Sequence, residues 1–340
     1  MKTMKKHKNN DRADIAIIGT GDIARRHLKN AQNLLPNKKV LILKRSPQSL
    51  NSAFNKYKNF IVHSIDEINP MSKKSIAIIC SPASLHIKDS IDLAKKGFNL
   101  LIEKPLSINN SRISDLINLR NEKNIRIMIG YNLRYHEAIC KLKNLLVNKS
   151  LGELKHVHFH VGSLYKVWRK SKNSMNSVTA NKKLGGGVIN ELSHEVDLMV
   201  YLLGLPDKML SLPSKSIADH VDIDDTCTSL FLYSKNKSTV TIHQNITSSN
   251  HSRYSIYEFD NGTIKVDLIE NYLYFKTKRK TETIRFKSSI DDTYILQLED
   301  FINNKKNHIF NLYDSINVVS IIQAMKKSKS KFTNIFYNNE

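Results

Sequence analysis

Three short stretches hold the residues whose types and spacing suit chemistry. Glu103-Lys104-Pro105 sets an ammonium beside a carboxylate and a conformationally rigid residue. A lysine so placed can polarise a carbonyl or make a hydroxyl more acidic. Residues 185–197 read GGGVINELSHEVD and contain His194, whose ordinary pKa of about 6.5 suits proton transfer near neutrality. Asp197 follows at i+3, on the same helix face, either to orient the imidazole or as a plain surface acid. Asn190 and Glu191 precede the histidine and would share its face on a continuous helix. Asn190 can bond a hydroxyl, and Glu191 can also act as a base, so the helper stays open. The three glycines ahead of them are expected to let backbone approach a ligand. The third stretch, Gly19-Thr20-Gly21-Asp22-Ile23-Ala24, reads G-x-G-x-x-A. Gly19 permits a tight turn, Gly21 lets backbone near a pyrophosphate, and Ala24 allows close helix packing. Asp22 and Ile23 belong to the first helical turn, whose N–H groups face the phosphates.

These stretches need elements to position them. Ile15–Ile18, Val40–Leu43, Ile76–Cys80, Leu100–Ile102 and Ile127–Ile129 are short β-branched runs, each before a turn signal. Amphipathic stretches Ile23–Leu35, Leu85–Lys96 and Ser111–Lys123 lie between them. Buried strands alternating with helices predict a doubly wound parallel α/β sheet of the Rossmann type. After Gly130 the pattern changes. A helix, Tyr135–Asn148, precedes strand-like segments His156–Ser163, Thr228–Tyr233, Thr239–Asn245, Ser255–Asp260, Thr263–Asp267, Tyr272–Lys276 and Glu282–Phe286. That is an α+β domain with a largely antiparallel open sheet. One helix, Gly187–Leu203, interrupts it, and Asp291–Asn303 and Leu312–Lys329 close the chain. The expected division is a dinucleotide-binding domain over 1–130 and a substrate-binding and oligomerisation domain over 131–340, with the late helices free to pack back on the first.

At the end of the second strand an acid would accept the ribose 2′-OH of NAD. The chain instead has Lys44-Arg45-Ser46, with no Asp or Glu between Asp22 and Asp66. Two cations and a hydroxyl suit a 2′-phosphate, so NADP is expected over NAD. The competing reading is ordinary surface charge, with NAD bound through main-chain contacts. Ser81, Pro82 and His86, just after Ile76–Cys80, are further expected cofactor contacts, with Glu103 and Lys104.

Charge is the misleading feature. Fifty-three Lys and Arg against 31 Asp and Glu leave a net charge of +22. The lysines are scattered over nearly every segment, and no motif for nucleic acid accompanies them. No apolar run approaches the ~18 residues of a membrane span. The start, MKTMKKHKNN, lacks the apolar stretch of a secretory signal. Cys80, Cys140 and Cys227 form no C-x-x-C pair, which fits a reducing cytoplasm and argues against a zinc cluster. His156, His158 and His160 alternate along a strand and share one face. No acid or cysteine completes a metal set there, so a structural role is expected and no metal.

The motif order resembles the Gfo/Idh/MocA oxidoreductases, named after glucose–fructose oxidoreductase and inositol dehydrogenase. The likeness runs from about residue 14 to 328. E-K-P together with the triple-glycine, H-x-x-D stretch is its specific part. GDIARRHLKN (21–30), GYNLRYH (130–136) and LGGGVINELSHEVD look like the branch found in bacterial polysaccharide and nonulosonate gene clusters. The resemblance implies a nicotinamide enzyme acting on a sugar or nucleotide sugar. Lys104 would then meet the substrate oxygen and His194 would move the proton, with Glu103 orienting Lys104 or the cofactor amide. Association through the open sheet face, as homodimer or homotetramer, is also implied. Asn132 and Arg134 would line the nicotinamide and substrate pocket, a buried ion pair being the alternative for Arg134. Trp168 and Arg169 would stack a sugar or base and hold a phosphate, or simply pack under a loop. Asn190 departs from the family pattern, where many members carry Asp four residues before the histidine. Other readings are a dehydrogenase of an inositol or small polyol, and a non-catalytic NADP-sensing regulator.

Overall fold

Apolar runs of Ile, Val and Leu too short for a helix form most of the first sheet. The computed structural model describes residues 11–45, 52–148, 151–164, 178–216, 222–235, 237–303 and 309–328. Among them, strands β1 (Ile15–Ile18), β2 (Val40–Leu43), β3 (Ile61–Val62), β4 (Ile76–Ile79), β5 (Asn99–Ile102) and β6 (Ile127–Ile129) pair in parallel in the order β3-β2-β1-β4-β5-β6. Ile15 lies level with Val40 on one side and Ile76 on the other. All four residues of β1, β2, β4 and β5 are buried, as expected of a parallel sheet covered on both faces. Helices α1 (Asp22–Leu34), α2 (His86–Lys95) and α3 (Ile113–Lys123) alternate with the strands. This is the doubly wound order that reverses between β1 and β4, where such sheets bind dinucleotides beyond the strand carboxyl ends.

After α4 (Glu137–Val147) the chain builds a second sheet. Its strands are β7 (Leu154–Leu164), β8 (Lys208–Ser214), β9 (Thr226–Tyr233), β10 (Ser238–Asn245), β11 (Thr247–Phe259), β12 (Gly262–Asp267), β13 (Tyr272–Thr277) and β14 (Thr281–Arg285). Their order is β8-β9-β10-β7-β11-β12-β13-β14, antiparallel except for β10 beside β7. One face is core: Val157, Phe159, Phe231, Val240, Ile242, Tyr257 and Leu273 are at most 1 % exposed. β8 was not expected. Pro213 lies within it and argues against a central strand, but β8 is an edge strand pairing only with β9, where a missing donor is tolerated. β11 also begins eight residues before the expected Ser255.

The single helix expected over Gly187–Leu203 is two: α5 (Val188–Glu191) and α6 (His194–Leu203). Between them Gln244 Nε2 donates to the Leu192 carbonyl at 2.6 Å, an acceptor that a continuous helix would use internally. The chain closes with α7 (Ile290–Asn303) and α8 (Leu312–Lys327). Two compact units result: 1–141 with 182–185 and 286–320, and 142–181 with 186–285 and 321–340. Within the first unit, α7 seats Leu298 and Phe301 in the sheet's core, and Gln297 Nε2 donates to the Ile129 carbonyl. Among the described residues no helix is long and apolar enough to cross a membrane.

Candidate active site

The glycine turn after β1 holds its shape for two reasons. Gly19 has φ +121°, and a Cβ there would lie 2.8 Å from the Cys80 carbonyl oxygen at the end of β4. Gly21, at the start of α1, has nothing within 4 Å of its Cβ position, and no side chain caps the helix. Asp22 is exposed, Ile23 half-buried and Ala24 fully buried in the core. Open space at an uncapped helix N-terminus fits a pyrophosphate. The dinucleotide would be held here by backbone N–H groups.

Lys104 follows β5 at the same sheet edge, two strands from the glycine turn. Its peptide bond to Pro105 is cis. The Lys104 backbone N–H donates to Glu103 Oε2 at 3.1 Å. Glu103 itself is 6 % exposed, and its Oε1 lies 2.7 Å from His27 Nε2 on α1. Burial pushes the Glu103 carboxyl up, but the His27 hydrogen bond and charge, with Lys104, outweigh it and hold the group below the usual range. Glu103 is thus an anchor linking β5 to α1. Nothing in the motif pointed to His27.

His86 corrects an expectation. It is 1 % exposed, and its ring nitrogens lie 2.8 Å from the carbonyl oxygens of Pro105 and Ser81. Burial lowers its pKa, opposed by those hydrogen bonds. It ties the turn after β4 to the turn after β5 and has no surface to offer a cofactor. Pro82 caps the short turn Ala83–Leu85.

At the end of β2, Arg45 donates from Nη1 and Nη2 to the two oxygens of Asp89, each at 2.8 Å. Asp89 lies on α2, fully buried, and also accepts from Ser81 Oγ at 2.7 Å. Lys44 is half-buried beside them. Ser46 falls outside the described residues, as do Trp168 and Arg169.

Asn132 and Arg134 are both 1 % exposed. Asn132 Nδ2 donates to Thr293 Oγ1 of α7 at 2.6 Å, while its Oδ1 is buried with no partner among the described residues. Arg134 Nη1 donates to Asp314 Oδ2 and to the Ile309 carbonyl, each at 3.0 Å. The expected substrate contact is therefore corrected: Arg134 is the buried ion pair.

In the second unit, His194 opens α6 and is 6 % exposed. Asp197 is fully buried one turn on, which removes the surface-acid reading. The break before α6 takes Asn190 and Glu191 off the helix that carries His194, so their expected shared face is corrected. Lys326 Nζ donates to Asn190 Oδ1 at 2.6 Å, and Thr179 Oγ1 donates to Glu191 Oε1 at 2.8 Å. The triple glycine is corrected too. A Cβ on Gly185 would press on Ile108 and Ala83, on Gly186 the Thr179 carbonyl, and on Gly187 the Asp224 carboxylate at 2.5 Å. The chain itself fills the space expected for ligand. Asp224, whose carbonyl and Oδ2 accept the Val188 and Ile189 N–H groups, caps α5. The histidine row on β7 is taken up by neighbouring strands: His156 by Thr239, His158 by Thr241, and His160 by Ser252.

Residues 13–131 match the GFO_IDH_MocA oxidoreductase family, NAD-binding Rossmann fold. Residues 139–265 match the GFO/IDH/MocA C-terminal domain. Glucose-6-phosphate 3-dehydrogenase of Bacillus subtilis is 27 % identical over 194 residues, 55 % of this chain and 53 % of that one. The chain thus spans about half the length of that relative, and likewise 56 % of an uncharacterized oxidoreductase of Streptococcus pneumoniae. The scyllo-inositol 2-dehydrogenase (NADP(+)) IolW of Bacillus subtilis is 22 % identical over 307 residues, 80 % of this chain and 82 % of that one. Among solved structures, levoglucosan dehydrogenase in complex with NADH and levoglucosan aligns with a TM-score of 0.76 at 17 % identity, covering 93 % of this chain and 97 % of that one. UDP-N-acetylglucosamine 3-dehydrogenase GnnA from Acidithiobacillus ferrooxidans aligns at 0.72 and 17 %, covering 92 % and 96 %. At these identities the structural matches speak for the fold.

Proposed function

The chain belongs to the Gfo/Idh/MocA oxidoreductases, and on that premise we propose that it is an NAD(P)-dependent enzyme acting on a secondary alcohol or ketone of a sugar or nucleotide sugar. Residues 1–130 bind the cofactor, with NADP preferred, and residues 131–340 bind substrate and self-associate. The setting is cytoplasmic surface-polysaccharide biosynthesis, supported by the resemblance of GDIARRHLKN and GYNLRYH to that branch.

The observation that carries the reading is the position of Lys104. It leaves a parallel strand at the edge where the open Gly21 cradle begins α1. Bound there, nicotinamide would take or give hydride at its ring. Lys104 polarises the reacting oxygen through its ammonium, and Glu103 fixes the backbone from which it projects. His194 takes the hydroxyl proton during oxidation and returns it during reduction, with Asp197 positioned to steady the same helix. Self-association uses the open face of the second sheet, where Leu210, Leu230 and Leu232 are 45 %, 37 % and 37 % exposed. A small polyol as substrate is the second reading, favoured by the inositol dehydrogenases among the relatives.

The test is a nicotinamide-absorbance screen of nucleotide sugars, sugar phosphates and inositols with NAD and NADP. Turnover of a sugar or nucleotide sugar supports the proposal. Turnover of inositols alone selects the second reading. Cofactor binding without turnover of any of them overturns both.

A further inference from the structure

We infer that Asp89 is a positioning residue for cofactor discrimination, acting by holding Arg45 at the carboxyl end of β2 as the contact for a ribose 2′-phosphate. The inference rests on the NADP reading above. An acid at that strand end would mark an NAD site, and the chain has none from residue 23 to 65. The fold supplies a carboxylate from α2 instead, but a fully buried one. Asp89 accepts two hydrogen bonds from Arg45 and one from Ser81. So enclosed, it cannot reach a ribose hydroxyl and can act only through the arginine.

Arg45 is suited to be acted on. Its side chain is 36 % exposed, although Asp89 at its tip is not. A guanidinium has five N–H donors, and the end-on pair with Asp89 engages two. The remaining donors are held in a fixed plane, which lowers the entropy of ordering a long side chain on an anion. Ser81 extends the restraint: it follows β4, so three elements (β2, β4 and α2) converge on one carboxylate.

The test is calorimetric titration of purified protein with NADP, NAD and 2′,5′-ADP, which reads binding without turnover. Asp89→Asn is expected to weaken NADP and 2′,5′-ADP about tenfold while NAD stays within about twofold. Arg45→Ala should lose at least as much, and the double variant should be no worse than Arg45→Ala alone, because Asp89 acts through Arg45. Ser81→Ala, a milder change, should give the same selectivity shift at about two- to threefold, and serves if Asp89→Asn fails to fold. Equal weakening of NADP and NAD by Asp89→Asn, or additive losses in the double variant, would mean a purely structural pair and overturn the inference. If Arg45→Ala discriminates between the cofactors and Asp89→Asn does not, only the Asp89 inference fails. If Arg45→Ala does not discriminate, the NADP reading fails and carries the inference with it.

Discussion

Gly21 and Gly187 each stand just before a helix, and they are glycines for opposite reasons. Gly21 has ordinary extended backbone and open space at its Cβ position. Gly187 has φ +105° and the Asp224 carboxylate where a Cβ would go. The first borders open space. The second makes room for protein itself. A glycine motif therefore announces close approach without saying what approaches.

The largest expected effects fall on turnover, one in each region. Lys104→Ala and His194→Ala should each cut kcat about a thousandfold, with cofactor affinity by titration nearly unchanged. Near-normal kcat in either variant would remove that residue from the chemistry. Gly187→Ala comes next. Positive φ and the clash with Asp224 should lower stability by about 2–4 kcal/mol, read by denaturant unfolding, and a neutral result would break the contrast with Gly21. Gly21→Ala should do the reverse. Stability should hold or rise by about 0.5 kcal/mol, while affinity for NADP falls about tenfold as the methyl meets the pyrophosphate's approach. Unchanged affinity would place the dinucleotide elsewhere.

The smallest effect is on pH dependence, and it concerns the second sheet. His158, His160 and His243 are held below the usual histidine value of 6.5, first by burial and, for His158 and His160, also by neighbouring histidines. The unfolded chain therefore binds more protons than the folded one just below that value, and stability falls as pH drops through it. Thermal unfolding across that range should show a falling melting temperature, with a flatter slope in His160→Gln. A slope unchanged in that variant would locate the titration elsewhere.

The expected strands of the first sheet were legible because each is a compact run of Ile, Val, Leu and other apolar residues, buried on both faces. β3 was not, because two residues carry no period. β8 was obscured by Pro213, whose edge position is a property of the sheet. The motif residues were legible as residue types in their order along the chain. Their partners were not. His27 meets Glu103, Asp89 meets Arg45, Lys326 meets Asn190 and Asp314 meets Arg134 across separations of 44 to 180 residues.

From local pattern alone the chain determined its alternation of strand and helix, the glycine turn and the order of its chemical groups, since these depend on periodicity and on residue type. Tertiary structure decided which glycines border open space, that Arg134 is paired and His86 enclosed, and that Leu192 ends a helix. Those outcomes depend on which distant carboxylate, carbonyl or amide arrives to satisfy a buried polar group, and sequence spacing does not encode that arrival.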